Sequence, residues 1–293
     1  MDLYQKSQIR KLKNEHDFRF TKSLGQNFLV DPMVIDTIID SANIGENDLV
    51  IEIGPGMGTL TGLAAGRARK LIAVEIDKEL IPILGETLRE YNNITILNAD
   101  ILKTDLASVI KDAKAEDPEI ENVQIIGNLP YYITTPIIMK LLREDVPASG
   151  ITIMMQKEVA DRIKAGPGSK TYGALSVAIR YYSEVTEVCE AGAECFEPRP
   201  KVDSEVLRLD IREERAVSVK DEDLFFECVK AGFSQRRKTL SNCLKNLSDL
   251  SKEDIMDALA DAGIEPSRRA ETLSMEEFGA LADSVYSRRN KLK

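Results

Sequence analysis

From Leu49 onward, short runs of β-branched and aliphatic residues alternate with segments whose apolar residues recur at helical spacing. The predicted strands are 49–53, 70–75, 94–97, 123–126 and 151–155, and the predicted helices are 59–67, 78–90 and 136–143. Strands that are joined by helices run parallel in one sheet, with helices on both of its faces. The alternation therefore predicts a doubly wound α/β fold with a mostly parallel sheet.

The sequence before and after this alternation differs in character. Asp31 followed by Pro32 is a usual beginning of a helix, which leaves residues 1–30 as an N-terminal arm. A last strand is predicted at 206–211, and the charged stretch 212–220 that follows has no apolar periodicity, as is typical of a linker.

The remaining sequence has a helical pattern. Capping-box spacing occurs twice, at Ser251 with Asp254 and at Ser274 with Glu277. We therefore predict a small all-helical domain at 213–293, after an α/β domain at 31–212.

Residues that many catalytic and metal sites require are scarce. The chain has one histidine, His16, and its four cysteines have no C-x-x-C spacing, which argues against structural zinc and against a nucleophile activated by histidine.

The uncharged stretch 122–139 is interrupted by Gly127 and Pro130, so it is not typical of a membrane span. The N-terminus lacks the pattern of a secretory signal. We expect a monomeric, cytoplasmic protein with no metal and no membrane partner.

The charge of the chain is unevenly distributed. The formal net charge of -10 opposes approach to a polyanion. Basic residues nevertheless form local clusters, which are Lys6, Arg10, Lys11, Lys13, Arg19 and Lys22 in the arm, and Lys230, Arg236, Arg237, Lys238 and Lys245 in a stretch without acids. Each cluster is typical either of a solvated helix face or of a surface that binds nucleic-acid phosphates.

A glycine-rich turn, Gly54-Pro55-Gly56-Met57-Gly58, follows the first predicted strand. Open α/β sheets bind ligands at this edge, and glycine lets a ligand approach the main chain without a Cβ in the way. The dinucleotide fingerprint G-x-G-x-x-G would need glycine where Thr59 stands, which disfavours a nicotinamide site.

Two acidic residues stand at or just after the next strand ends. Glu75 is where an acid would accept hydrogen bonds from both hydroxyls of a ribose, and Asp100 is placed to accept from an adenine amino group. Strand-end loops often carry exposed acids without any function. Together with the glycine turn, these acids predict a pocket for an adenosine without pyrophosphate, which points to S-adenosylmethionine.

The tetrapeptide Asn128-Leu129-Pro130-Tyr131 follows the fourth predicted strand. A nucleobase amine is a poor nucleophile because its lone pair is delocalised into the ring. If the Asn128 side-chain oxygen and the Leu129 carbonyl accept its two N–H bonds, the lone pair can face a methyl sulfonium. Pro130 would hold the turn, and Tyr131 could stack on a flipped-out base. The alternative is an ordinary turn between a strand and a helix.

Five motifs in order resemble the ribosomal RNA adenine dimethyltransferase family, and most closely its small-subunit branch. They are TKSLGQNFL at 21–29, EIGPGMGTLT at 52–61, NLPY at 128–131, FEPRPKVDS at 196–204 and FSQRRKTL at 233–240. The resemblance extends from about residue 18 to near the C-terminus. It departs from the family at Tyr132, where many relatives have asparagine, and at Thr21, where a basic residue is common.

This resemblance implies a class I methyltransferase with a Rossmann-like, seven-stranded sheet and a helical RNA-binding domain. The implied donor is S-adenosylmethionine, which leaves S-adenosylhomocysteine, and no metal is involved. The implied reaction is dimethylation of the exocyclic amines of two adjacent adenosines in the 3′-terminal hairpin loop of 16S ribosomal RNA. The implied partner is a precursor of the small ribosomal subunit, and the arm at 1–30 would close over the donor.

The family's site residues can be placed on matching positions of this chain. The implied donor contacts are Asn27, Leu29, Gly54, Gly56, Glu75, Ile76, Asp100, Ile101 and Asn128. The target adenine would be held by Asn128, Leu129, Pro130 and Tyr131, with Phe196 as the opposing aromatic face. The implied RNA contacts are Lys22, Arg199, Lys201, Arg236, Arg237 and Lys238. For Phe196, a core aromatic before a proline turn is the alternative.

Three other functions stay open at this point. The first is a large-subunit RNA methylase of the antibiotic-resistance type, which the FEPRPKVDS segment and the long helical domain disfavour. The second is a ribosome assembly factor without catalysis, against which the presence of Glu75, Asp100 and Asn128 argues. The third is an NAD-dependent oxidoreductase, which Thr59 disfavours.

Overall fold

The computed structural model describes residues 3–21, 24–247 and 250–291. The chain forms two compact units, of which the first contains residues up to 160 together with 184–211, and the second contains 161–183 and 212 onward. The sequence-based boundary at 213 instead left 161–183 with the α/β region. Aromatic packing accounts for the difference, because the ring of Tyr181 stacks on Phe225 at a centroid distance of 4.9 Å.

The first unit is built on the predicted seven-stranded sheet, whose strand order is β4-β3-β2-β5-β6-β9-β7. These strands are β2 (Leu49–Ile53), β3 (Lys70–Glu75), β4 (Ile94–Asn98), β5 (Val123–Asn128), β6 (Gly150–Gln156), β7 (Ser183–Ala191) and β9 (Ser204–Ile211). Neighbouring strands from β4 to β6 are parallel, and β9 is antiparallel to β6. The predicted mostly parallel sheet is confirmed.

The strand order creates the place for a ligand. From β2 the chain proceeds outward to β3 and β4, and it then returns to β5 on the other side of β2. Loops that leave the carboxyl ends of β2 and β5 therefore run in opposite directions, which opens a crevice between them. All five residues of β2 are buried, because both faces of the sheet are covered.

Helices pack on both sides of this sheet. They are α2 (Pro32–Ser41), α3 (Thr59–Ala65), α4 (Leu80–Thr87), α5 (Leu106–Glu116) and α6 (Thr134–Arg143), and α7 (Lys157–Lys164) follows β6. The predicted start of α2 is confirmed, since the Asp31 carboxylate accepts hydrogen bonds from the amides of Met33 at 3.0 Å and Val34 at 3.1 Å.

The N-terminal arm is packed on the first unit. Its helix α1 (Lys6–Glu15) buries Ile9 and Leu12 in an apolar cluster that also contains Phe28 and Met57. Its strand β1 (Phe28–Leu29) pairs antiparallel with β8 (Phe196–Glu197), so that Leu29 lies opposite Phe196. The arm is therefore held by both apolar packing and strand pairing.

The second unit is helical. It contains α8 (Ala174–Tyr182), α9 (Glu222–Gly232), α10 (Leu240–Cys243), α11 (Lys252–Asp261) and α12 (Met275–Lys291). The two predicted capping boxes are confirmed, because the amides of Asp254 and Glu277 donate to the hydroxyls of Ser251 at 3.1 Å and Ser274 at 3.2 Å. Among the described residues, no helix is long and apolar enough to cross a membrane.

Candidate functional site

A cavity opens at the carboxyl edge of β2, β3 and β5. Its space outside the protein atoms is about 1040 Å³, a volume that includes the open solvent at its mouth. Its wall includes all the donor contacts that the sequence predicts, which are Asn27, Leu29, Gly54, Gly56, Glu75, Ile76, Asp100, Ile101 and Asn128. Leu129, Pro130, Tyr131 and Tyr132 also belong to the wall.

The glycine turn is part of the cavity wall. Its backbone takes a conformation that residues with a Cβ avoid. Gly54 and Gly56 have φ angles of 69° and 61°. A Cβ at Gly56 would lie 3.0 Å from the ring of Phe28, so this glycine also lets the arm approach the turn closely.

Glu75 presents a buried carboxylate at the end of β3. Its side chain is 5% exposed, and its Oε1 accepts a hydrogen bond from the amide of Asp77 at 2.8 Å. Burial raises the pKa of Glu75 to about 7, and the negative charge of Asp77 adds to this rise. Ligand hydroxyls that donate hydrogen bonds would stabilise the charged form.

The adenine-side candidates lie on the loop after β4. Asp100 accepts a hydrogen bond from the amide of Leu102 at 3.0 Å and lies 3.5 Å from the ammonium of Lys103. Ile101 is buried, whereas Ile76 is exposed over half of its surface and supplies apolar area to the same wall.

Glu52 is a cavity residue that the sequence reasoning missed. It lies one position before the end of β2, is 1% exposed, and its Oε2 has no hydrogen-bond partner in the described part of the chain. Burial raises the pKa of Glu52 to about 8, and the charge of Glu75 adds to the effect. Glu52 is therefore protonated near neutral pH. The sequence did contain a signal for this residue, which is an acidic side chain inside a predicted buried strand, two residues before the glycine turn.

Replacing Glu52 with glutamine should reduce the loss of stability as pH rises from about 5 to about 8. Folded Glu52 keeps its proton up to about pH 8, whereas in the unfolded chain it releases the proton near its ordinary pKa of 4.5. Between these values the folded state binds more protons, so the free energy of unfolding falls as pH rises. We expect Glu52→Gln to remove a decline on the order of a few kcal/mol between about pH 5 and about pH 9, measured by denaturant unfolding.

The control for this prediction is Glu46→Gln, the same chemical change at an exposed carboxylate. This variant should show the pH dependence of the unchanged chain. Equal declines for Glu52→Gln and the unchanged chain would show that Glu52 does not titrate in this interval.

The side-chain oxygen of Asn128 and the main-chain carbonyl of Leu129 form a corner of the cavity wall with two acceptors. The Asn128 Nδ2 donates to the main-chain carbonyl of Asn27 at 2.8 Å, which links the arm to the end of β5. This bond orients the amide and leaves its Oδ1 available. Among the described residues, neither this Oδ1 nor the Leu129 carbonyl accepts a hydrogen bond. Two adjacent residues of the cavity wall thus offer acceptors that a ligand amine could use.

The two predicted stacking rings have different environments. Tyr131 is part of the wall, half-buried, and its hydroxyl lies 2.7 Å from that of Ser204. Burial raises the pKa of Tyr131 above its ordinary value. Phe196, in contrast, is 1% exposed and packs in an apolar cluster with Leu29 and Met154. Phe196 is not part of the cavity wall in this structure, so its place opposite the target base stays a prediction.

The described members of the six predicted RNA contacts are distributed over both units. Lys22 lies outside the described residues. In the first unit, Arg199 lies 3.5 Å from Glu194, and Lys201 is exposed. In the second unit, Arg236 donates to the carbonyl of Lys170 and lies 3.8 Å from Glu271.

Arg237 and Lys238 differ from Arg236. Both are exposed, and in the described ranges neither has an ion-pair partner. They are therefore the two cations of this triplet that can reach a phosphate without breaking an existing contact. The one histidine, His16, lies 2.8 Å from Glu86 and is not part of the cavity wall.

Comparisons with known proteins find sequence relatives of this chain. The sequence profile of the family described as "Ribosomal RNA adenine dimethylase" matches residues 17–286. The "Ribosomal RNA small subunit methyltransferase A" of Alkaliphilus oremlandii is 50% identical over 277 residues, which cover 94% of this chain and 95% of that protein.

Two solved structures are also similar. A dimethyladenosine transferase from Plasmodium falciparum superposes with a TM-score of 0.73 and 27% identity, covering 87% of this chain and 95% of the other. The 23S rRNA methyltransferase ErmE superposes with a TM-score of 0.66 and 27% identity, covering 89% of this chain and all of ErmE, 100%. The class I methyltransferase fold expected from the sequence is thereby confirmed.

Proposed function

The chain belongs to the ribosomal RNA adenine dimethylase family, and from this premise we propose which RNA it methylates, with which donor and with which residues. The substrate is the small-subunit ribosomal RNA within a precursor particle, at two adjacent adenosines of the 3′-terminal hairpin loop. The donor is S-adenosylmethionine, and the enzyme acts as a cytoplasmic monomer.

One observation carries this proposal: a single cavity wall contains the glycine turn, the carboxylate of Glu75 and the carbonyl corner at Asn128. The wall fits an adenosine-containing donor. Glu75 is a buried acceptor that can receive two ribose hydroxyls, and Asp100 can receive an adenine amine. Gly54, Gly56, Asn27 and Leu29 would hold the amino-acid end of the donor against the arm, with Ile76 and Ile101 beside the adenine.

The chain's own residues contribute positioning to the reaction. When bound, the donor supplies an electrophilic methyl carbon. Asn128 Oδ1 and the Leu129 carbonyl accept hydrogen bonds from the target amine, which draws its lone pair out of the ring. Pro130 holds this turn with a fixed φ angle, and the Tyr131 ring supports the base. The methylated amine is strongly acidic and can lose its proton to water, so a histidine base is not required.

Dimethylation places a further demand on this corner. After the first transfer the amine keeps one N–H, so only one of the two acceptors stays engaged during the second. The corner must then admit a methyl group beside the other acceptor.

RNA binding is assigned to the cations that lie outside the cavity. Phosphate contacts supply affinity, and an unpaired loop makes extrusion of a base inexpensive in free energy. Arg237 and Lys238 of the second unit are the principal contacts, and Arg236 contributes after it releases Glu271. Lys22, Arg199 and Lys201 are assigned to the RNA that flanks the target.

Removing Arg237 and Lys238 together should weaken RNA binding and reduce its salt dependence. Two fewer phosphate contacts are expected to reduce the slope of log affinity against log salt concentration by about 2. Binding of undermethylated small subunits over a salt series measures this slope, and donor affinity should not change. Lys111→Ala, which removes an exposed cation from α5, is the control. A double variant with an unchanged slope contradicts the assignment.

The proposed function is tested by incubating the enzyme with labelled donor and undermethylated small subunits, followed by mapping of the modified nucleotides. We expect two adjacent dimethyladenosines in small-subunit RNA. Labelling of large-subunit RNA would instead support the function that the name of ErmE describes. Binding of small subunits without any methyl incorporation would support a non-catalytic assembly factor, and tight NADH binding would revive an oxidoreductase.

A further inference from the structure

Tyr132 is an exposed aromatic residue at the mouth of the cavity that the proposed mechanism does not use. Among the described residues, the aromatic side chains that line this cavity are Phe28, Tyr131 and Tyr132. Phe28 is only 7% exposed, and Tyr131 is half-buried with its hydroxyl bound to Ser204. Tyr132 is 58% exposed, so it offers far more ring surface to a ligand than the other two.

The ring of Tyr132 lies close to Gly25 of the arm. The ring atoms Cδ1 and Cε1 come within 3.6 and 3.7 Å of the place that a Cβ on Gly25 would take. The ring edge therefore lies beside Gly25, while more than half of the residue's surface is exposed to solvent. In the described part of the chain, the Tyr132 hydroxyl has no hydrogen-bond partner, so no such bond explains why the ring is held at the surface.

An exposed tyrosine with this support is a rigid platform at low entropic cost, because the side chain has few rotatable bonds. Aromatic rings of this kind bind single-stranded nucleic acids by stacking on bases. Phe196 is buried and is not part of the cavity wall, so it offers no exposed ring here.

We infer that Tyr132 stacks on the nucleobase next to the adenine that enters the cavity, and so sets which adenosine of a loop is presented. The inference rests on the proposed function and adds a specificity residue to it. An adenine held at Asn128 and Tyr131 leaves the neighbouring nucleotide outside the cavity, where the next residue of the chain, Tyr132, supplies the nearest exposed ring of the wall. Stacking needs the ring and does not need the hydroxyl.

Methylation kinetics on undermethylated small subunits give the first test. Tyr132→Leu keeps an apolar side chain against Gly25 but has no aromatic ring, and it should raise KM for the particle about tenfold. Tyr132→Phe should stay within about twofold of the unchanged enzyme, because its ring still stacks. Donor affinity, measured by calorimetry, should be the same in both variants. Tyr91→Leu, at an exposed tyrosine outside the cavity wall, is the matched control.

A spectroscopic test uses the absence of tryptophan from the chain. Tyr132→Trp introduces a single indole, whose emission a stacked base should quench when a hairpin RNA with two loop adenosines binds in the presence of S-adenosylhomocysteine. Tyr91→Trp should show no quenching with the same RNA.

The results separate this inference from the proposed function. Quenching only at position 132, with the raised KM of Tyr132→Leu, supports stacking. Unchanged kinetics of Tyr132→Leu overturn the inference. Unquenched indole emission of Tyr132→Trp also overturns it, provided that fluorescence anisotropy of the labelled hairpin shows that the RNA is bound. If the unchanged enzyme methylates no small subunits, the proposed function itself fails.

Discussion

Asn128→Ala is expected to lower kcat for methyl transfer by about 100- to 1000-fold, the usual effect of removing one group that stabilises a transition state by hydrogen bonding. The variant loses the side-chain acceptor for the target amine, while the Leu129 carbonyl remains. Single-turnover methylation of undermethylated small subunits measures the effect directly, because it excludes product release.

The same substitution also removes the 2.8 Å bond from Asn128 to the carbonyl of Asn27, so donor affinity must be measured separately. We expect a modest loss of donor affinity and a much larger loss of the rate at saturating donor. A variant with normal kcat would contradict the assignment. Loss of methylation with normal maturation of small subunits would show that binding, and not catalysis, is the part of the function that assembly needs.

Glu75→Ala is expected to weaken donor binding by at least about 100-fold, because each of the two hydrogen bonds to the charged carboxylate contributes about 1.5–3 kcal/mol. The rate at saturating donor should change little, since Glu75 does not contact the reacting amine. Calorimetric titration with S-adenosylhomocysteine measures the affinity. Glu79→Ala, an exposed carboxylate on the same loop, is the control.

Donor affinity should also depend on pH through Glu75. The carboxylate is the form that accepts two hydroxyl hydrogen bonds, and its pKa is raised to about 7 in the ligand-free cavity. Protonation therefore competes with the donor below this value, and the Kd should rise as pH falls from about 8 to about 6. In Glu75→Ala this dependence should disappear. Equal pH dependence in the variant would assign the titration to another group.

The sheet was predictable because its strands carry strong local signals. The predicted bounds 49–53 and 70–75 coincide with β2 and β3, since buried parallel strands are continuous apolar runs. Strand β7 was not predicted. It is last in the strand order, exposes about half of its residues and has glutamates along its length, so its sequence lacks both an apolar run and a regular alternation.

The cavity was predictable to the extent that its residues lie at strand ends. Glu75 and Asn128 end β3 and β5, and Asp100 follows β4, so the parallel topology alone brings them to one edge. For Phe196 the sequence allowed two interpretations, a ring that faces the base or a core aromatic, and could not decide between them. The environment of Phe196 depends on tertiary contacts, among them the pairing of β8 with β1, which are two-residue strands far apart in the chain.

The contacts of the basic cluster could not be predicted from the sequence either. Arg236, Arg237 and Lys238 are alike in sequence, but only Arg236 reaches a carbonyl 66 residues away, at Lys170. A local charge pattern cannot distinguish a cation that holds the fold from one that is available to RNA, because this depends on tertiary contacts.

The most direct test of the reaction geometry is a crystal structure with S-adenosylhomocysteine and an RNA that carries the target adenosine. Our account predicts the adenine N6 within about 3 Å of both Asn128 Oδ1 and the Leu129 carbonyl oxygen, with the base beside Tyr131. An adenine bound in the cavity with its amine directed away from these two oxygens would contradict it.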